Sequence, residues 1–191
     1  MYWLRLLAWI IALVYCTIPS FWLVAHPNAR RWNRPRAAFR ILLPSWLFFI
    51  LLAGAITWPR HEVVLFENPA LILAGLVLLF VGGSIYRRSG AHFSWKQLSG
   101  APEFEAGKIA EQRLVTSGIH ARVRHPIYLA HFINLCGWTM ISGLEVLLWL
   151  LAFAIATGWL MIRLEERELR DRFGEAYLEY QRSVPVIVPK L

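Results

Sequence analysis

Charge is what this sequence has least of: only 17% of its 191 residues are Asp, Glu, Lys or Arg. A soluble domain of this length carries more charge and breaks its apolar runs sooner, which excludes an ordinary soluble chain. Acids are scarcer than bases, 12 against 20, a balance that raises the question of nucleic acid. The arginines stand beside apolar runs instead of spreading over a soluble face, so no nucleic-acid partner is expected. Cysteine is nearly absent. Cys16 and Cys136 lie far apart inside apolar segments, form no C-x-x-C pair and have no metal-ligand spacing, which leaves no disulfide framework and no metal site. No small-x-small cleavage pattern follows the first apolar run and Arg5 is its only early charge, so that run is expected to be a retained span and not a signal peptide. Internal repeats and low-complexity segments are missing as well.

What is there is hydrophobic. The chain is 58% apolar with a mean hydropathy of +0.48 and ten tryptophans, a composition that belongs in a bilayer. Five apolar runs, at about residues 6–25, 41–58, 69–86, 126–143 and 146–163, each approach the roughly twenty residues needed to cross about 30 Å of hydrocarbon. The expected fold is therefore all-α, a single membrane-embedded domain over 1–191 with five transmembrane helices. The last two form a C-terminal hairpin turned at Ser142-Gly143-Leu144-Glu145. Beyond Arg163, Leu169, Phe173, Tyr177 and Tyr180 recur at helical spacing with charges between them, which predicts an interfacial C-terminal helix. An extended tail, Val184 to Pro189, follows.

The loops set the orientation. Residues 26–40 hold five arginines and no acid, and Arg87-Arg88 open a polar stretch that runs to Arg124, whereas 59–68 is charge-balanced. Basic loops stay on the cytoplasmic side, so the N-terminus is expected outside and the C-terminus inside, in an integral membrane protein of the bacterial inner membrane. The stretch 87–124 is too long for a passive connector and is expected to be functional. His92, Trp95 and His120 within it are candidates to line an entrance, against the plainer alternative of ordinary loop residues.

Two polar knots interrupt the apolar pattern. The first is Arg124-His125-Pro126, with Gly118 upstream and Tyr128 downstream. Pro126 suits the first position of a helix, where its missing N–H would find no partner anyway. The remaining N–H groups of that turn, with the positive end of the helix dipole, make a ready anion site. The second knot is Arg163, Glu165, Glu166 and Arg167. Pro126 lies eighteen positions before Leu144 and Arg163 eighteen after Glu145; at about 1.5 Å per residue the two knots reach one depth. Taken singly each has a plain explanation, a basic helix start for the first and a stop-transfer cap with helical ion pairs for the second. Together they offer an acid, anion donors and an aromatic face, the set that S-adenosylmethionine would need for its ammonium, carboxylate and sulfonium.

The segments LVTSGIHARVRHPIYLA and EERELRDRFGEAYLEYQRSVPVIVP, covering residues 114–189, resemble the isoprenylcysteine carboxyl methyltransferase and phospholipid methyltransferase superfamily. That family shows a G-P-Y…R-H-P-x-Y-x-G block followed by E-E-x-x-L…F-G-x-x-Y-x-x-Y…P. The resemblance implies an S-adenosylmethionine-dependent membrane methyltransferase with a cytoplasmic cofactor pocket in the C-terminal half. Gly118, Arg124, His125, Pro126, Tyr128, Arg163, Glu165 and Glu166 are its expected cofactor-binding residues, with Glu166 preferred over Glu165 for the ammonium. Ile119-His120 replace the usual Pro-Tyr, and Ala130 stands where Gly is common.

His131 and Asn134 share the face of Tyr128 inside the fourth span. Intramembrane polar groups are costly and point to function, so Tyr128, His131 and Asn134 are the candidate catalytic residues, the alternative being hydrogen bonds that lock helices together. Direct methyl transfer would rest on orientation and desolvation. A carboxylate acceptor needs no base, whereas an amine or thiol would need His131 or Glu166. The depth of His131 and Asn134 suggests a lipophilic or amphipathic acceptor that arrives from the membrane lipids. Two alternatives stay open: a non-catalytic scaffold or transport subunit, and a nicotinamide-dependent enzyme like the sterol reductases. The oligomeric state is not legible.

Overall fold

A computed structural model describes residues 1–25, 43–90 and 114–189. The arginine-rich segment 26–42 and the loop positions His92 and Trp95 lie outside the described residues. Among those described there are six α-helices: α1 (Tyr2–Ala25), α2 (Leu43–Thr57), α3 (Pro69–Gly90), α4 (Pro126–Ser142), α5 (Glu145–Phe173) and α6 (Glu175–Ser183). Short 3-10 turns cover Trp58–Arg60 and Gly118–Ala121.

The chain is a polytopic membrane protein, and the expected count of five spans is not reproduced. Four helices, α1, α2, α3 and α5, are long and apolar enough to cross a bilayer. The 17-residue α4 is not among them. Pro126 starts it and Gly143 ends it, and it is enclosed by α3, α1 and α5. Its apolar residues therefore serve the interior: Ala130, Leu135 and Ile141 are almost fully buried. The outer helices do the reverse. Leu51, Ile56, Leu73 and Phe80 on α2 and α3 are more than three-fifths exposed, a surface that only hydrocarbon would cover without penalty.

One core joins the beginning and end of the chain. Ala8, Ala12 and Cys16 of α1 pack against Leu135 of α4 and Leu147, Leu150 and Ala154 of α5. Small residues let α3 and α4 approach closely. A methyl group on Gly75 would come within 2.7 Å of the Gly137 carbonyl oxygen, and one on Gly82 within 2.1 Å of Asn134 Oδ1.

The hairpin turn is fixed from outside. Leu65 N–H donates to the Gly143 carbonyl (2.8 Å) and Glu145 N–H to that of Val63 (3.0 Å). Gly143 has φ +65°, and a methyl there would sit 1.9 Å from Phe66 O, so no other residue fits this crossing. Arg60 pairs with Glu145 at 2.6 Å and Arg5 with Glu67 at the same end of the bundle.

The helix expected beyond Arg163 forms in two pieces, the end of α5 and α6. α5 runs unbroken through Arg163 to Phe173, and only Gly174, at φ +56°, separates it from α6. The reason is compositional: residues 163–173 contain no Gly or Pro, so nothing stops the helix where the apolar run does.

Candidate functional site

The site is assembled where α4 begins, three-quarters of the way along α5. Ser117 leads into the 3-10 turn at Gly118, whose φ of +61° is open to glycine and strained for other residues. His125 is the residue before the helix and Pro126 its first, as the sequence predicts. The tail folds back over this point: Arg124 N–H donates to Pro185 O (2.9 Å) and His125 N–H to Val186 O (3.1 Å). Tyr177, Tyr180 and Val184 bury together with Leu114, Leu169 and Phe173, holding tail and lead-in segment against α5. Tyr180 OH donates to His120 O at 2.6 Å. Burial pushes the Tyr180 phenol up to about 12 against the opposing pull of Arg124, and raises Tyr177 too, in that case with help from Glu166.

The depth argument from the hairpin holds: His125 lies between the two glutamates of α5. Its Nε2 is 3.3 Å from Glu166 Oε1 and its Nδ1 3.6 Å from Glu165 Oε2. The two carboxylates are nevertheless differently placed. Glu166 receives Arg124 through Nε at 2.8 Å and a terminal nitrogen at 2.5 Å, and Gln181 Nε2 at 3.2 Å. Arg124 also donates to the carbonyls of Gln181 (3.1 Å) and Val184. With side chains only 7% and 12% exposed, Arg124 and Glu166 form a closed, buried pair that ties α5 to the loop and the tail. Glu165 Oε2 is buried and accepts no hydrogen bond among the described residues, and the Tyr177 hydroxyl, likewise buried, has no partner among them either. Tyr128 stacks on His125, with centroids 5.6 Å apart and planes at 29°, and its hydroxyl reaches Met161 Sδ.

Not every expected residue joins this group. Arg163 is exposed and lies over the Trp159 ring, 5.2 Å from its centroid, outside the cluster. Asn134 is buried against Gly82 of α3, away from the cluster of His125, and its Oδ1 accepts no hydrogen bond among the described residues. His131 lies one turn deeper than the knot, with Nδ1 2.5 Å from Tyr86 OH and 2.9 Å from Ile127 O, and with Tyr15 packed on its ring at 5.0 Å. Sequence reasoning missed Gln181, Tyr177, Tyr86 and Tyr15. Tyr177 had been visible only as one of an apolar stripe, and Tyr86, beside Arg87, looks like an ordinary interface aromatic.

The family model described as phospholipid methyltransferase matches residues 70–176, which takes in α3, the knot and both carboxylates. The chain belongs to the phospholipid methyltransferase family. Within it, the chain is 32% identical over 155 residues to the protein-S-isoprenylcysteine O-methyltransferase of Homo sapiens, covering 77% of this chain and 49% of that protein. It is 38% identical over 77 residues to the protein of the same name from Schizosaccharomyces pombe, covering 40% of this chain and 33% of the relative. Over 91 residues it is 32% identical to methanethiol S-methyltransferase 2 of Bradyrhizobium diazoefficiens, covering 46% and 33%. The chain thus spans half or less of the length of these curated relatives. No solved structure matches it.

Proposed function

We propose that the chain is an S-adenosylmethionine-dependent methyltransferase of the membrane that methylates a lipid-like or amphipathic acceptor on a carboxyl, amine or thiol. The observation that carries this is the group around His125: an imidazole between two carboxylates and stacked on Tyr128, beside a buried carboxylate oxygen that accepts no hydrogen bond. A buried charged oxygen without a donor is costly, and an ammonium would satisfy it. S-adenosylmethionine also supplies the chemistry, a methyl group on a sulfonium.

Each residue then has a role. Glu165 holds the ammonium. His125 and the first N–H groups of α4 meet the carboxylate, and the Tyr128 ring faces the sulfonium through its π surface. Arg124 and Glu166 keep loop, α5 and tail in register and so fix the positions of the others. Gly118 turns the lead-in segment, and Arg163 stands at the rim. The relatives' names, which speak of isoprenylcysteine and methanethiol, support acceptors that are lipid-like or thiols. The core shared by α1, α4 and α5 supports one domain over the whole chain. The arginine content of 26–40 and Arg87-Arg88 supports a cytoplasmic cofactor site and an outside N-terminus, in a bacterial inner membrane.

Calorimetric titration of the purified chain with S-adenosylmethionine, followed by transfer of labelled methyl to lipid extracts, tests the proposal. Saturable binding and labelled lipid are expected. A chain that binds no S-adenosylmethionine would overturn the proposal in favour of a scaffold or transport subunit or a nicotinamide-dependent enzyme.

A further inference from the structure

A second polar group, deeper than the knot, remains to be explained. Tyr15 of α1, Tyr86 of α3 and His131 of α4 converge inside the bundle. His131 and Tyr15 line a small cavity with Tyr128, Phe132, Leu135 and Ala154. Tyr128 belongs to both places, so the cavity opens next to the residue that would face the sulfonium. No Arg, Lys, Asp or Glu lines it among the described residues.

The tautomer of His131 follows from its contacts. Nδ1 lies 2.9 Å from the Ile127 carbonyl oxygen, which can only accept. A bare Nδ1 there would set lone pair against lone pair, so Nδ1 carries the proton and Nε2 is the basic nitrogen. Tyr86 OH, at 2.5 Å from Nδ1, is a second oxygen at that same nitrogen and holds the ring from α3.

We propose that this cluster is the seat of the acceptor's head, with His131 Nε2 as proton acceptor and Tyr86 as the positioning residue, and that the head is a thiol. The inference rests on the methyltransferase reading above. A carboxylate needs no proton acceptor and would leave Nε2 unused, and an ammonium would enter a cavity lined by no acid among the described residues. A thiol enters neutral and can give up its proton to an imidazole as it is methylated. In the transfer the S–H proton passes to His131 Nε2, and the thiol sulfur forms the new bond to the methyl carbon. The methyl–sulfonium bond breaks, and its electron pair stays on the donor's sulfur. The apolar tail would rest against the exposed apolar helix faces.

The test uses the full chain in detergent with labelled S-adenosylmethionine and three probes of one tail length: dodecanethiol, dodecanoate and dodecylamine. Dodecanethiol is expected to be methylated at least about a hundredfold faster than the other two, and His131→Asn to lower its kcat on the order of a hundredfold with cofactor affinity unchanged. Tyr86→Phe should lower kcat about tenfold at unchanged KM, as loss of one positioning contact would. Independently of turnover, the ¹⁵N-histidine spectrum, with His131 identified by its loss in His131→Asn, should show the Nδ1–H tautomer, and Tyr86→Phe should move that signal. If His131→Asn fails to fold, His131→Gln identifies the signal in its place, and the probe comparison stands on its own. Preference for dodecanoate, full thiol turnover in His131→Asn, or an Nε2–H tautomer would overturn the inference. Cofactor binding without thiol turnover overturns this inference only; no cofactor binding overturns the methyltransferase reading with it.

Discussion

Glu165 and Glu166 are neighbours in sequence, and their removal should break different things. Glu166 accepts from Arg124, His125 and Gln181, and its side chain and that of Arg124 are 12% and 7% exposed. In Glu166→Ala the guanidinium keeps, among the described residues, the carbonyls of Gln181 and Val184. Removing one member of a buried pair costs about 3–5 kcal/mol, a large part of the roughly 5–15 kcal/mol that holds a domain together. The damage should appear first in residues 181–189, because Arg124 is what fastens that tail beneath α4. Glu165→Ala loses a carboxylate with no such network and should leave the fold intact while weakening S-adenosylmethionine at least tenfold, about 1.4 kcal/mol or more. Hydrogen exchange over the tail and thermal unfolding in detergent report the first effect, and calorimetric titration the second. The double variant Arg124→Met with Glu166→Met removes both charges and should recover most of the lost stability, since apolar replacement of such pairs is often neutral or better by about 1–4 kcal/mol. Unchanged tail exchange in Glu166→Ala would refute the closed-pair argument, and unchanged affinity in Glu165→Ala would refute its role at the ammonium.

Other outcomes follow from other parts of the molecule. Gly75→Val should destabilise the chain by about 1–3 kcal/mol through overpacking, because the first added carbon already meets the Gly137 carbonyl; a denaturation midpoint equal to that of the parent would show that α3 and α4 can separate freely. Tyr180 is neutral in the folded chain up to about 12, against an ordinary value of 10.0. Its contribution is therefore full below about pH 10 and lost as pH rises from there toward 12. Tyr180→Phe should flatten that alkaline decline and, by removing the bond to His120 O, lower stability by about 1 kcal/mol at neutral pH; alkaline melts of the two proteins would reveal an unaltered slope if the assignment is wrong. Cysteines introduced by Glu62→Cys and Arg170→Cys, both at exposed positions, should react with an impermeant reagent from opposite sides of sealed vesicles, position 62 from outside; labelling of position 170 from outside would invert the topology.

The sequence by itself determined what depends on composition and on counting along the chain. Apolar runs of nearly fixed length made a membrane protein the only solution, because uncharged helices that long have nowhere else to bury their surface. The hairpin arithmetic brought His125 level with Glu165 and Glu166, because helix rise is constant and both arms start from one glycine turn. Pro126 as a helix start and the turn at Gly118 were legible for the same local reason. What only tertiary structure decided depends on which face a side chain presents. Two adjacent glutamates differ by about 100° around a helix, and that rotation commits Glu166 to Arg124 while it leaves a Glu165 oxygen without a donor. The apolar run of α4 reads like that of any other span, and only the packing shows that α1, α3 and α5 enclose it. Tyr15 and Tyr86 are 116 and 45 positions from His131, and no periodicity links them to it. They meet because α1 and α3 both pack on α4, and such packing selects neighbours by shape across the bundle and not by distance along the chain.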